Sequence, residues 1–280
     1  MNTGLEGHVA FITGASGGIG RALAETFAEA GASLVLQGRG QFDVLEDWLA
    51  QQPWRDRALA CRADVTRPDE VEAAVQAGVE RFGRIDVAIA NAGIWPPPVL
   101  PLHELDEERV RLVLDTNLTG ALWTARAFLR ALAATGPRAE SGASLVFIGS
   151  TAGKFGEAGH SVYATSKAGL HGLVQSLKNE IVDLDPQGRV NLIQPGWTAT
   201  HMARPALDEP GTIQRIVRTM PLRQIGRAED IARTALYLAS PVLALHVTGE
   251  TLTVAGGMEG RVRWEPDDID EDAVRKKLRS

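Results

Sequence analysis

One cysteine, Cys61, occurs in 280 residues, so the chain closes no internal disulfide, and the lone thiol reads as a small hydrophobe on a strand. No apolar run approaches the roughly 20 residues that cross a bilayer. Residues 1–7 lack a cationic stretch followed by an apolar one, which makes a cytoplasmic protein the expectation. Basic charge is not in excess: Asp and Glu number 35 against 29 for Lys and Arg. That balance argues against a broad nucleic-acid surface and leaves small anionic substrates open. Internal repeats, low-complexity segments and any pattern calling for a metal are also missing.

What is present is an alternation. Apolar runs at residues 9–13, 33–36, 58–61, 87–90, 144–148, 189–193 and 251–254 read as strands. Helix-like spacing fills 19–30, 70–82, 107–114, 121–132, 163–184 and 229–238. Strands alternating with helices predict a doubly wound parallel α/β sheet with helices on both faces. At 44% hydrophobic residues the chain has material for one large domain, 1–257, followed by an extension, 258–280. Asp106 is a candidate cap for the helix at 107, and Pro68 or Asp69 marks the start of the one before it. The prolines of 95–101 forbid a regular helix and predict a stiff loop.

Three strings carry chemistry. Thr13-Gly14-Ala15-Ser16-Gly17-Gly18-Ile19-Gly20 joins the first strand to the first helix. There Gly14 permits the turn, Gly18 lets backbone approach a pyrophosphate, Gly20 lets the helix pack closely, and the helix N-terminus faces the anion. Tyr163 and Lys167 stand four apart and so share a helix face. A nearby ammonium favours phenolate, which is expected to bring the tyrosine toward acid and base work. Ser150 lies thirteen residues before Tyr163.

The spacing Thr-Gly-x-x-x-Gly-x-Gly, with Asn91-Ala92-Gly93, Asn117, Ser150, Tyr163-x-x-x-Lys167, Pro195-Gly196 and Thr200 in order, resembles the classical short-chain dehydrogenase/reductase family over residues 7–257. The resemblance implies a seven-stranded Rossmann-type sheet and hydride transfer between a nicotinamide and a secondary alcohol or ketone. It casts Tyr163 as proton donor and Ser150 as a second donor to the alkoxide. Lys167 would lower the tyrosine pKa and hold the ribose, and Asn117 would organise a water relay. Gly14, Ser16, Gly18, Ile19, Gly20, Asn91, Ala92, Gly93, Pro195, Gly196, Thr198 and Thr200 would hold the cofactor, with Asp64 and Val65 at the adenine. It also implies a lid over 199–222 and a homotetramer or homodimer built on helices 121–132 and 163–184.

The second strand ends Gln37-Gly38-Arg39, without the acid that takes a ribose 2′-hydroxyl and with an arginine that suits a 2′-phosphate. NADP is therefore expected, with NAD as the alternative. Ile94, Trp95, Gly153, Lys154, Phe155, His160, Trp197 and Met202 flank these motifs and are expected to line the substrate pocket. The substrate stays open among a 3-oxoacyl thioester, a sugar or polyol, and a cyclic ketone or steroid. A non-catalytic dinucleotide-binding regulator is the alternative of another class, disfavoured by the intact Asn117, Ser150, Tyr163 and Lys167. In the extension, Asp267, Asp268, Asp270, Glu271 and Asp272 precede Arg275, Lys276, Lys277 and Arg279, an order that complements the dipole of a short helix. Ile269, Val274 and Leu278 would stripe a surface helix, or one that shapes a pocket or subunit contact.

Overall fold

Every residue of β1 (Val9–Ile12) is buried, because both faces of its sheet are covered. Ala10 and Ile12 pack on one side, Val9 and Phe11 on the other. Six further strands follow the same logic: β2 (Ser33–Gly38), β3 (Ala58–Arg62), β4 (Val87–Ala90), β5 (Ser144–Ile148), β6 (Arg189–Pro195) and β7 (Thr251–Val254). All pair in parallel, in the order β3-β2-β1-β4-β5-β6-β7. The computed structural model describes residues 2–138, 141–262, 265–268, 270–271 and 274–275.

One face is covered by α1 (Gly18–Glu29), α2 (Phe42–Ala50) and, from later in the chain, the helix Ala228–Ala239. The other is covered by α3 (Pro68–Phe82) and by the helices Gly120–Thr135 and Ser161–Glu180. In chain order the remaining helices are α4 (Glu107–Leu114), α5 (Gly120–Thr135), α6 (Thr151–Phe155), α7 (Ser161–Glu180), α8 (Arg204–Leu207), α9 (Thr212–Val217) and α10 (Ala228–Ala239). Each expected strand and helix is found within a few residues of its bounds. The helix α2 was not expected: at nine residues, its stripe of Phe42, Leu45 and Leu49 is short. Asp106 caps α4 by accepting from the Arg109 amide at 2.7 Å, and Pro68 sits in the first turn of α3.

Long-range polar anchors fix the sheet's ends. Arg189, fully enclosed, donates to the carbonyls of Leu238 and Ala239 at the C-terminus of α10 and to Ala244. Its charge meets the negative end of the helix dipole there. Burial draws its pKa down to about 10, against the opposing pull of Asp185. A separate cluster of Ile216, Met220, Ala255 and Met258, joined by Phe155 and Trp197, packs the segment holding α8 and α9 onto the end of β7. In the extension, Pro266–Asp268 forms a 3-10 turn, and Glu271 pairs with Arg275 at 3.0 Å. Val274 is exposed, whereas Arg263, Trp264, Ile269, Asp272, Lys276, Lys277, Leu278 and Arg279 lie outside the described residues. Among the described residues no helix is long and apolar enough to cross a membrane, and no cluster of His, Cys, Asp or Glu could hold a metal.

Candidate active site

Strand order reverses between β1 and β4, and crevices form at such reversals, beyond the strand C-termini. The glycine turn occupies this point. Gly14 has φ +66°, and a Cβ on it would lie 2.8 Å from the Ala92 Cα; a Cβ on Gly20 would lie 2.2 Å from the Gly14 carbonyl oxygen. Asn91 stitches the two strands, its Nδ2 donating to the carbonyls of Thr13 (2.8 Å) and Gly14 (3.2 Å), while Thr13 Oγ1 accepts from the amides of Asn91 and Ala92. Gln37, not singled out in the sequence, braces the turn from beneath: its Oε1 accepts from the Gly14 amide at 2.9 Å and its Nε2 donates to the Ala63 carbonyl. The N-terminus of α1 carries no side-chain cap and no acid in its first turn. Its amides are left for an anion.

Across the crevice, Tyr163 and Lys167 project from the first turns of α7, and Ser150 begins α6 at the end of β5. The Ser150 hydroxyl favours the ionised form of the Tyr163 phenol and accepts from the Ala152 amide at 3.1 Å. Asn117 is fully buried in a π turn, Asp115–Thr119, between α4 and α5. Its Oδ1 accepts from the Ile94 amide at 2.7 Å, and its Nδ2 donates to the Ile94 carbonyl at 2.9 Å and to Ser166 Oγ at 3.2 Å. A Cβ on Gly93 would fall 3.1 Å from Lys167 Nζ and 3.2 Å from Asn117 Oδ1, so only a glycine leaves both polar groups undisturbed there.

Contrary to expectation, Lys167 is not among the groups that shift the Tyr163 phenol. Burial dominates and pushes the phenol up to about 12, with Glu157 adding to the rise and Ser150 and Arg261 opposing it. The Lys167 ammonium instead donates to the Ile148 carbonyl at 2.9 Å, and burial brings it down to about 8.

A cavity of about 670 Å³ runs from the glycine turn past Tyr163 to Trp95 and Trp197. Its wall includes most of the expected residues: Gly14, Ser16, Gly18, Ile19, Gly20, Asn91, Ala92, Gly93, Ile94, Ser150, Pro195, Gly196, Thr198, Thr200 and Met202. Thr200 reaches across to the turn, 3.1 Å from a Cβ on Gly18. Other expectations are displaced. Phe155 packs into the cluster beneath α9, away from the cavity wall, and Lys154 turns toward Thr253 at 3.4 Å. Gly153 is filled against the backbone of Lys167 and Ala168. His160 lies behind Trp95, ring centroids 4.6 Å apart, and burial, then Arg109 and Arg261, lowers its pKa.

At the far end Arg39 pairs with Asp64 at 2.8 Å, and neither they nor Val65 border the cavity. Val65 lies in the core against α5. Burial works to raise the Asp64 pKa, but hydrogen bonds from Thr66 and Arg39 outweigh it and hold it below the usual value. Arg21, Gln41, Glu157 and Arg261 also line the cavity. No local pattern marks them, since each arrives from a different element. The Pro96, Pro97 and Pro98 carbonyls are gathered by the single Arg109 guanidinium, which fixes the loop carrying Trp95.

A family model described as enoyl-(acyl carrier protein) reductase matches residues 14–259. The 3-oxoacyl-(acyl-carrier-protein) reductase FabG of Vibrio cholerae is 34% identical over 256 residues, covering 91% of this chain and 98% of that protein. The cis-4-hydroxycyclohexanecarboxylate dehydrogenase of Sinomonas cyclohexanicum is 36% identical over 253 residues, 89% of this chain and 95% of its own. A short chain dehydrogenase of Burkholderia cenocepacia, solved in complex with NADP, superposes with a TM-score of 0.79 at 29% identity, over 90% of this chain and 98% of that one.

Proposed function

The chain belongs to the short-chain dehydrogenase/reductase family, and we propose that, as an NAD(P)-dependent oxidoreductase of a secondary alcohol/ketone pair, it prefers NADP and acts through Tyr163, Ser150, Lys167 and Asn117. The observation that carries the reading is one cleft with two ends: an uncapped helix N-terminus after β1, and Ser150, Tyr163 and Lys167 together on its opposite wall. Gly18 and Gly93 line the cavity, and in this reading they would hold the dinucleotide, which supplies the hydride when bound. Tyr163, protonated at neutral pH, gives a proton to the carbonyl oxygen, and Ser150 donates a second hydrogen bond to the charge that develops there. Lys167, beside Gly93, is positioned for ribose hydroxyls, and Asn117 holds the Ile94 backbone in register with α7. The aromatic wall of Trp95 and Trp197, 5.7 Å apart edge to face, suits an apolar or ring-bearing substrate. A ring alcohol of the kind named for the Sinomonas relative and a 3-oxoacyl thioester are the two classes its relatives recommend. A non-catalytic regulator would have no use for the proton donor. Oxidation of NADPH measured by absorbance against a panel of ketones tests the activity, and no turnover with any of them would reject it.

The NADP preference rests on Arg39. A guanidinium offers a forked set of donors to a 2′-phosphate that a 2′-hydroxyl uses poorly. Hydrogen bonds to charged groups are worth about 1.5–3 kcal/mol, so Arg39→Ala is expected to cut the NADPH over NADH ratio of kcat/KM by roughly ten to a hundredfold. Its exposure and its pairing with Asp64 place the value toward the lower end. An unchanged ratio rejects the assignment.

Residues 1–257 form the catalytic unit in this reading, and a dimer or tetramer is expected. Leu112 on α4 and Leu122 on α5 stand exposed, consistent with apolar helix faces that pair between subunits. Light scattering at micromolar concentration checks this, and a monomer alone rejects it.

A further inference from the structure

The substrate end of the cleft holds two charges outside the catalytic set. Arg261 comes from the segment that follows β7, and Glu157 from the turn between α6 and α7; both line the cavity with Tyr163. They act on the Tyr163 phenol in opposite senses, which puts both within electrostatic reach of the reacting oxygen. Arg261 donates through Nε to the Gly156 carbonyl at 3.2 Å, so the stem of its fork is fixed. Its Nη2 stands 3.9 Å from Glu157 Oε1, too far for a hydrogen bond. Burial raises the Glu157 pKa, against the pull of Arg261 and of the neighbouring Trp95 indole. The guanidinium is thus anchored at one nitrogen, loosely neutralised, and about a quarter exposed at the mouth of an aromatic pocket, with 28% of its side chain accessible. A purely structural arginine looks different in this same chain: Arg189 spends its donors on three backbone carbonyls.

We propose that Arg261 is a specificity-determining residue that takes a carboxylate on the end of the substrate remote from the reacting carbon, so that the enzyme prefers keto acids and hydroxy acids whose apolar body spans Trp95 and Trp197. A planar fork of donors matches the two oxygens of a carboxylate, and in a partly dry cleft the pairing outweighs what water offers. Glu157 is the built-in opponent, a like charge beside the same fork. Its replacement by Gln keeps the size of the side chain and removes its repulsion of a bound carboxylate. This inference rests on the oxidoreductase reading of the site for the word substrate, but the binding itself is measurable without turnover.

The test uses the NADPH-loaded protein. Quenching of tryptophan fluorescence, reported by Trp95 and Trp197, is titrated with cyclohexanecarboxylate and with cyclohexanecarboxamide. The same pair of head groups is compared as 4-oxocyclohexanecarboxylate and its carboxamide in NADPH oxidation. Wild type should favour the acid by tenfold or more in both readouts. Arg261→Gln should bring the acid-to-amide ratio close to one, Arg261→Lys, with charge kept and fork lost, should fall between, and Glu157→Gln should raise the ratio. A wild-type ratio near one, or a ratio unmoved by the Arg261 variants, overturns the proposal. Should Arg261→Gln fail to fold, the Lys and Glu157 variants decide by the same ratios. Failure to oxidise NADPH with any carbonyl compound, alongside an intact binding ratio, overturns the oxidoreductase reading and leaves an acid-binding cleft.

Discussion

Tyr163→Phe should bind NADPH as wild type does and lose turnover by roughly a hundred to ten-thousandfold, the range general acid catalysis supplies. The ring and its packing remain and only the dissociable proton goes. The starting state favours this role in reduction, because burial pushes the phenol up to about 12 and the donor keeps its proton at neutral pH. In the oxidation direction the same group must first lose that proton, so the oxidation rate should climb with pH while reduction does not. In the proposed mechanism Ser150 is the second donor to the same oxygen, and its hydroxyl is held by the Ala152 amide. Near-normal NADPH oxidation by the purified variant, with bound NADPH confirmed by its fluorescence, would remove Tyr163 from the mechanism.

Gly20→Ala should weaken NADPH binding by about a hundredfold or more. A Cβ there would lie 2.2 Å from the Gly14 carbonyl oxygen and 2.7 Å from the Ala15 Cα. Both neighbours are backbone, so the turn itself must open. Opening moves the α1 amides off the phosphate oxygens, and each charge-assisted hydrogen bond lost costs about 1.5–3 kcal/mol. Gly17→Ala is the matched control. Its Cβ would meet only the Gly14 carbonyl oxygen, at 3.4 Å, and its φ of −76° suits any residue. That variant should hold affinity within a few fold. Fluorescence titration of NADPH into both separates the cases, and equal affinities would mean that the turn does not hold the phosphates in the way described.

Much of this was legible in the sequence, and the reason is distance along the chain. The strands of the sheet, the glycine turn and the Tyr163–Lys167 pair are encoded by spacings of two, three or four residues. Those spacings fix which side chains share a face before any tertiary contact forms. Buried strands flanked by helix patterns then leave few arrangements besides a covered parallel sheet. Asn117 was found by family pattern, but its work, holding both polar atoms of Ile94 from a π turn, is visible only once α4 and α5 run on through that turn.

Tertiary structure decided what no local spacing encodes. Phe155 and Lys154 follow Ser150 closely in sequence, yet in the folded chain Phe155 meets the cluster of Ile216, Met220, Ala255 and Met258 instead, and Lys154 meets Thr253. Glu157 and Arg261 are 104 positions apart and meet only because the chain beyond β7 returns over the turn before α7. The state of Tyr163 is another such case: sequence supplies the neighbour Lys167, but the burial that dominates the phenol and the bond of the ammonium to the Ile148 carbonyl belong to the assembled site. Sequence alone thus determined the fold and pointed to the groups proposed to react, which depend on short-range periodicity and residue type. The pocket's charge, its shape and the protonation of its acid depend on desolvation and on contacts between distant segments, and those exist only after the chain has closed around them.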